Sequence, residues 1–273
     1  MKKLLAATIA LFALTACGTS DAPADSEVTT VRLGMVGSNT EVWENVGERL
    51  QEHGINLEII SFSDFNIPNT ALAEGEIDMN AFQHQFFLDN FNAEFGTDIV
   101  SIGNTFNAPL GIYSNTLAIA TDVEDGAQIA IPNDVTNGGR ALLLLQAAGL
   151  IEVDEAAGLT PTVSDILSNP RGLVIVELAA DQTARALQDV SLSVINSGMA
   201  IDAGLNPQTD AIFLEPVDEN ARPYVNIIAV RGEDADNEIF QTIVDVFQTP
   251  ETKEVAAIYS PASIPAWEAF GRQ

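Results

Sequence analysis

Positive charge and sulfur are both scarce in this chain of 273 residues. Lysine and arginine together number 11 against 39 aspartates and glutamates, giving a formal net charge of −28. Nucleic-acid binding depends on neutralising phosphates, so so acidic a chain excludes nucleic acid as a partner. After Lys2 and Lys3 the only lysine is Lys253. Such depletion is expected of a salt-adapted protein, in which dissolved ions screen repulsion among surface carboxylates. The one cysteine is Cys17, so no disulfide can close within the chain. The only histidines are His53 and His84. There is no GxSxG, Walker-type or HExxH motif, and no cofactor-binding signature. Acids are so frequent that any carboxylate pair, or a metal site of His84 with carboxylates, is matched by chance. Neither an enzyme nor a cofactor is expected.

Apolar runs of membrane-spanning length are not evident either. The uncharged run Leu4–Ala16 is shorter than the ~20 residues of a helical span. Preceded by Lys2 and Lys3, it reads as a signal peptide over residues 1–16. Its end, Leu14-Thr15-Ala16-Cys17, has the form of a bacterial lipoprotein processing site. Cys17 would then be the lipidated first residue, anchoring the protein on the periplasmic or cell-surface side of the bacterial membrane. Residues 17–29 are small, polar and acidic, suited to a flexible tether. The hydrophobic fraction of 47% is ordinary for a globular body, and the remaining length suits two lobes.

From residue 30 onward, short β-type runs alternate with amphipathic helical ones. "TVRLGMV" (30–36), "INLEIISF" (55–62), "DMNAFQ" (78–83), "IVSIGNTF" (99–106) and "LGIYSNTLAIA" (110–120) read as strands, with helices between several of them. A second block follows: "AQIAIPND" (127–134), "LVIVELA" (173–179) and "LSVINSG" (192–198) as strands, then "YVNIIAVRG" (224–232) as a long apolar strand. The expected class is α/β, with mixed sheets flanked by helices. One lobe would comprise 30–113 plus 230–273 and the other 114–229, joined by crossings near 110–118 and 224–231. The cleft between such lobes is a usual place for a small ligand.

Several polar residues sit at the ends of apolar strands. "FQH" (82–84) offers a ring and an imidazole, while "IN" (195–196) and "VNI" (225–227) place Asn196 and Asn226 in apolar surroundings. A buried amide must find partners, since an unpaired one costs about 1–3 kcal/mol. "NGGR" (137–140) offers glycine flexibility, helix N-terminal N–H groups and Arg140, one of eight arginines. A cation in a first helical turn opposes the macrodipole by roughly 0.3–1 kcal/mol. Two explanations stand open: a ligand carboxylate gripped by Arg140, or an ion pair with one of the many acids. The first predicts that Arg140→Ala weakens binding and leaves the apo fold as stable as before.

Five stretches together resemble a known family, the methionine-binding lipoproteins that feed ABC importers. They are "ALAEGEIDMNAFQHQFFLDNF" (71–91), "APLGIYS" (108–114), "PNDVTNGGRALLLLQAAGLI" (132–151), "AIDAGL" (200–205) and "PYVNIIAVR" (223–231). The resemblance implies a two-lobed, type II periplasmic-binding-protein fold that closes on an amino acid, D- or L-methionine. It implies that Arg140 holds the α-carboxylate, with Asn196 and Asn226 at the polar end. Phe65, Phe82, His84 and a ring from Phe86 or Phe87 would line the side-chain pocket. The implied partners are the amino-acid ligand and an ABC permease, with the membrane reached through the lipid anchor alone and the protein a monomer. Where the family pattern has Pro-Tyr this chain has Phe86-Phe87, and Ser197-Gly198-Met199 also departs from it. A methionyl dipeptide or an S-methyl amino acid is therefore the alternative ligand. The competing classes are an exported enzyme on amino-acid derivatives and a surface interaction protein.

Overall fold

The apolar run Thr29–Val36 lies parallel to Ile55–Phe62, in register from Thr29 opposite Ile55 to Val36 opposite Phe62. The helix Glu41–Leu50 connects them and buries Val42, Trp43, Val46 and Leu50, the spacing that puts one helical face on a core. In the computed structural model, which describes residues 28–272, this unit supplies two strands of a six-stranded mixed sheet. Across the sheet the strands run Ile264–Pro265, Ile99–Asn107, Val225–Arg231, Met79–Asn80, Thr29–Val36 and Ile55–Phe62. The signal peptide (1–16), Cys17 and the tether up to residue 27 lie outside the described residues. The tether's last residue, Thr29, opens the first strand. Helices Glu238–Phe247 and Pro250–Tyr259 pack on this sheet, and Phe247 meets Trp43 with ring centroids 4.5 Å apart.

A second mixed sheet has the order Phe213–Leu214, Gly111–Tyr113, Leu192–Ile195, Gln128–Pro132 and Val174–Leu178. Its core gathers around the helix Val135–Ala147, which buries Leu142, Leu144 and Leu145 against Ile129, Ile131 and Val194. Two mixed sheets flanked by helices realise the expected fold class. Among the described residues no helix is long and apolar enough to cross a membrane.

The expected division at 113/114 and 229/230 is displaced. Gly111–Tyr113 pairs with Leu192–Ile195 and belongs to the second sheet, whereas Val225–Arg231 pairs with Ile99–Asn107 in the first. The chain passes between sheets at 108–110 and again within 215–224. An apolar run records that a strand is buried, but its neighbour is chosen by tertiary pairing. Two expected strands also shorten: 110–120 keeps only Gly111–Tyr113, and 78–83 keeps only Met79–Asn80. Beyond that strand, Phe82 and Gln83 leave the sheet and enter the wall of the cleft.

Candidate functional site

Both sheets contribute to one cavity of about 110 Å³ that runs between them. This is near the size of a dry protein cavity that holds benzene, ~150 Å³, so it is scaled to a small molecule. Phe65, Phe82, His84, Phe87, Arg140, Asn196 and Asn226 all line it, joined by Val36, Gln83, Ala108, Asn137 and Met199. Phe86 does not; its ring turns away to meet Tyr224 at 6.4 Å.

The first sheet supplies the apolar wall. Phe65, Phe82 and Phe87 form a triangle of rings with centroids 6.0–6.2 Å apart. Behind them Asn69, Asn80 and Gln83 bond to one another: the Asn69 amide donates to Gln83 at 2.7 Å, and its oxygen accepts from Asn80 and Gln83 at 2.9 and 2.6 Å. The Gln83 carbonyl also accepts from the Ile227 N–H at 3.0 Å, and His84 bridges Asn226 in an antiparallel pair. An irregularity in strand register between Val225 and Ile227 brackets Asn226, the kind of bulge that re-aims a side chain.

His84 is the N-cap of the helix Gln85–Phe95, its Nδ1 accepting from the Phe87 N–H at 3.0 Å. Burial pushes its pKa down to about 3, helped by the charge of Arg140 and opposed by the Asn137 amide. The ring is therefore neutral, with its proton on Nε2 because Nδ1 is an acceptor. Nε2 is buried, with the Asn137 amide nearby but no well-aligned hydrogen bond to it.

The second sheet supplies the polar wall. The helix carrying Arg140 begins at Val135, capped by Asp134, whose side chain accepts from the Asn137 N–H at 2.9 Å. Arg140 is thus in the second turn, and the expected macrodipole penalty does not arise, since that effect fades beyond the first turn. Gly138 and Gly139 are helical and serve close packing rather than flexibility. A Cβ on Gly138 would lie 2.9 Å from the Pro132 carbonyl oxygen, and one on Gly139 2.7 Å from that of Leu159.

Arg140 is only 3% exposed. Its Nε donates to Glu215 at 2.8 Å and its Nη2 to the other oxygen of the same carboxylate, while Nη2 also reaches the Ala108 carbonyl at 3.1 Å. The Tyr224 ring stacks over the guanidinium, 4.3 Å from its carbon. Nη1 has no partner among the described residues. Of the two explanations left open for Arg140, the ion pair with an acid is the one present in the structure. The expected stability of Arg140→Ala is corrected, because truncation would strand the largely buried Glu215. Removing one member of a buried pair commonly costs about 3–5 kcal/mol.

At the cleft mouth Ser38 donates from its N–H at 3.0 Å and its hydroxyl at 2.8 Å to Asp202 of the second lobe. Among the described residues no three His, Cys, Asp or Glu side chains converge as a metal site.

The NlpA lipoprotein family profile matches residues 31–267, nearly all of the described chain. The chain belongs to that family. Members are substrate-binding proteins rather than enzymes, and the family implies a lipid-anchored location at a membrane. The D-methionine-binding lipoprotein MetQ of Escherichia coli K12 is 38% identical over 264 residues, 96% of each chain. A nutrient-binding protein from Burkholderia cenocepacia, solved bound to methionine, superposes with a TM-score of 0.82 at 40% identity, covering 86% of this chain and 99% of its own. Protein PG110 from Staphylococcus aureus gives 0.84 at 45% identity, covering 86% and 93%. The fold of this family member is accordingly that of a periplasmic binding protein.

Three residues of the site escape sequence reasoning. Glu215 is one of 39 acids, so nothing in composition marks it. Tyr224 reads as one more apolar residue at a strand start. Asn137 stands inside the "NGGR" signal, but its role depends on Asp134 and Asn196, which only folding brings together.

Proposed function

We propose that this chain captures free methionine, or a close S-methyl amino acid, and delivers it to an ABC import permease. The observation that carries the reading is the union, in one amino-acid-sized cavity, of a three-ring apolar wall and polar atoms with no protein partner. Arg140 Nη1 receives the α-carboxylate, with the His84 Nε2–H as a second donor near it. Asn196 and Asn226 serve the amino end. Phe65, Phe82 and Phe87 enclose the thioether, which gains from sulfur–ring contact. The volume of about 110 Å³ favours a single amino acid over a methionyl dipeptide. Names of relatives support the same reading: one is called D-methionine-binding, and another was solved with methionine.

Ligand capture couples to closure, because a ligand touching both lobes favours the closed state by its extra contacts there. The Ser38–Asp202 contact adds to that state. Anchoring is assigned to Cys17, processed after Ala16, with the body acting as a monomer. Calorimetry with L-methionine, D-methionine and glycyl-methionine tests the ligand. One methionine bound per chain, with glycyl-methionine weaker, is expected; no heat with either enantiomer overturns the reading. Mass spectrometry of membrane-extracted protein should find diacylglycerol on Cys17, and an unmodified Cys17 in membrane-bound protein removes the anchor assignment.

A further inference from the structure

The orientation of an amide decides whether it offers a donor or an acceptor, and here one carboxylate sets it for two amides in series. Asp134 accepts the Asn137 Nδ2 on both oxygens, each at 3.0 Å, besides capping the Asn137 N–H at 2.9 Å. An ionised carboxylate can only accept, so Asn137 must turn its NH₂ toward Asp134 and its Oδ1 away. That Oδ1 accepts from the Asn196 Nδ2 at 2.9 Å. Asn196 is then left with its Oδ1 on the cavity wall, buried and without a hydrogen-bond partner.

We infer that Asp134 is a positioning residue that acts through Asn137 to hold Asn196 as an acceptor, making the site select ligands with a free α-ammonium group. Asp134 does not line the cavity; Asn137, 2% exposed, transmits the polarity. The chain Asp134–Asn137–Asn196 spans the helix Val135–Ala147 and the end of the strand Leu192–Ile195, so the acceptor is fixed across two elements before any ligand arrives. The inference rests on the amino-acid reading above and specifies which end of the ligand Asn196 reads.

The test compares L-methionine with 4-(methylthio)butanoate, its des-amino analogue, by calorimetry on the full chain. A lost hydrogen bond to a charged group corresponds to a preference of roughly 10- to 150-fold, expected here in favour of methionine. Asp134→Asn still caps the helix, because Asn is as good an N-cap as Asp. Its side chain, however, brings an NH₂ that Asn137 can accept, which reverses both amides and turns an Asn196 donor toward the cavity. Methionine affinity should fall at least ~10-fold while that for the des-amino analogue stays within about 3-fold. Should Asp134→Asn fail to fold, Asp134→Ser also caps and also removes the acceptor-only group, and the preference should shrink in the same direction. Equal losses for both ligands would make Asp134 merely structural, and unchanged affinities would make it merely a cap; either overturns the inference. A wild-type chain that binds both ligands equally overturns it while leaving the proposed function standing. One that binds neither overturns both.

Discussion

Two amide clusters flank the cleft, and they differ in one respect. In the first lobe Asn69, Asn80 and Gln83 close on themselves, each buried and each bonded to the others. In the second lobe Asp134, Asn137 and Asn196 form an open series that ends in an acceptor without a partner. Both are polar groups taken out of water, where an unmade bond is costly. The closed cluster meets that cost internally and so can only stiffen the aromatic wall. The open one leaves it unmet, which is useful only where another molecule completes it. Arg140 lies between these extremes: Glu215, Ala108 and Tyr224 occupy most of its guanidinium, and one nitrogen remains.

The largest effect is expected at that intermediate case. Arg140→Met should lower unfolding free energy by about 3–5 kcal/mol, because Glu215 loses its buried partner. The double change Arg140→Met with Glu215→Leu should recover most of the loss in urea denaturation, yet still fail to bind methionine. A silent single variant would show that the pair is not a buried partnership, and Arg140 would join the open cluster.

A smaller effect separates the two clusters directly. Asn69→Ala strands the amides of Asn80 and Gln83, at about 1–3 kcal/mol for each group left unmade. Asn196→Ala leaves one acceptor unmade, the Asn137 Oδ1, so it should cost less stability than Asn69→Ala, about 1–3 kcal/mol in all, while weakening methionine at least ~10-fold. Stability and binding measured on both variants should therefore show opposite profiles. If Asn69→Ala weakens the ligand as much as Asn196→Ala does, the distinction between closed and open clusters fails.

The mildest effect concerns His84, whose Nε2 is the open end on the first lobe. Its pKa is about 3 in the folded chain against 6.5 ordinarily, chiefly through burial. Between those values the unfolded chain takes up a proton that the folded one refuses, so stability falls as pH falls, by roughly 1 kcal/mol per pH unit. Above about pH 6.5 both forms are neutral and the effect vanishes. His84→Asn keeps a cap acceptor and removes the titration. The difference in melting curves between wild type and His84→Asn should narrow as pH drops from about 6 to 4, since the many carboxylates titrate in both. Parallel curves would mean that His84 protonates freely.

The sequence by itself determined the α/β class and the rare residues of the cavity. Arginine and histidine are uncommon enough here that Arg140 and His84 stand out, whereas Phe65, Phe82 and a ring from Phe86 or Phe87 came from the family resemblance, and only the fold brings Phe87 rather than Phe86 to the cavity. Strand and helix identities follow from local periodicity, which needs no knowledge of the fold. Three matters were decided only in tertiary structure. Which sheet takes Gly111–Tyr113 and Val225–Arg231 depends on pairing across the chain, and apolar runs carry no label for their neighbours. Which acid meets Arg140 is undetermined among 39 equivalents until Glu215 is brought 75 positions along the chain to it. Which face of Asn196 meets the cavity is set by Asp134 through Asn137. An amide's two ends are the same letter in a sequence, and only a fixed neighbour tells them apart.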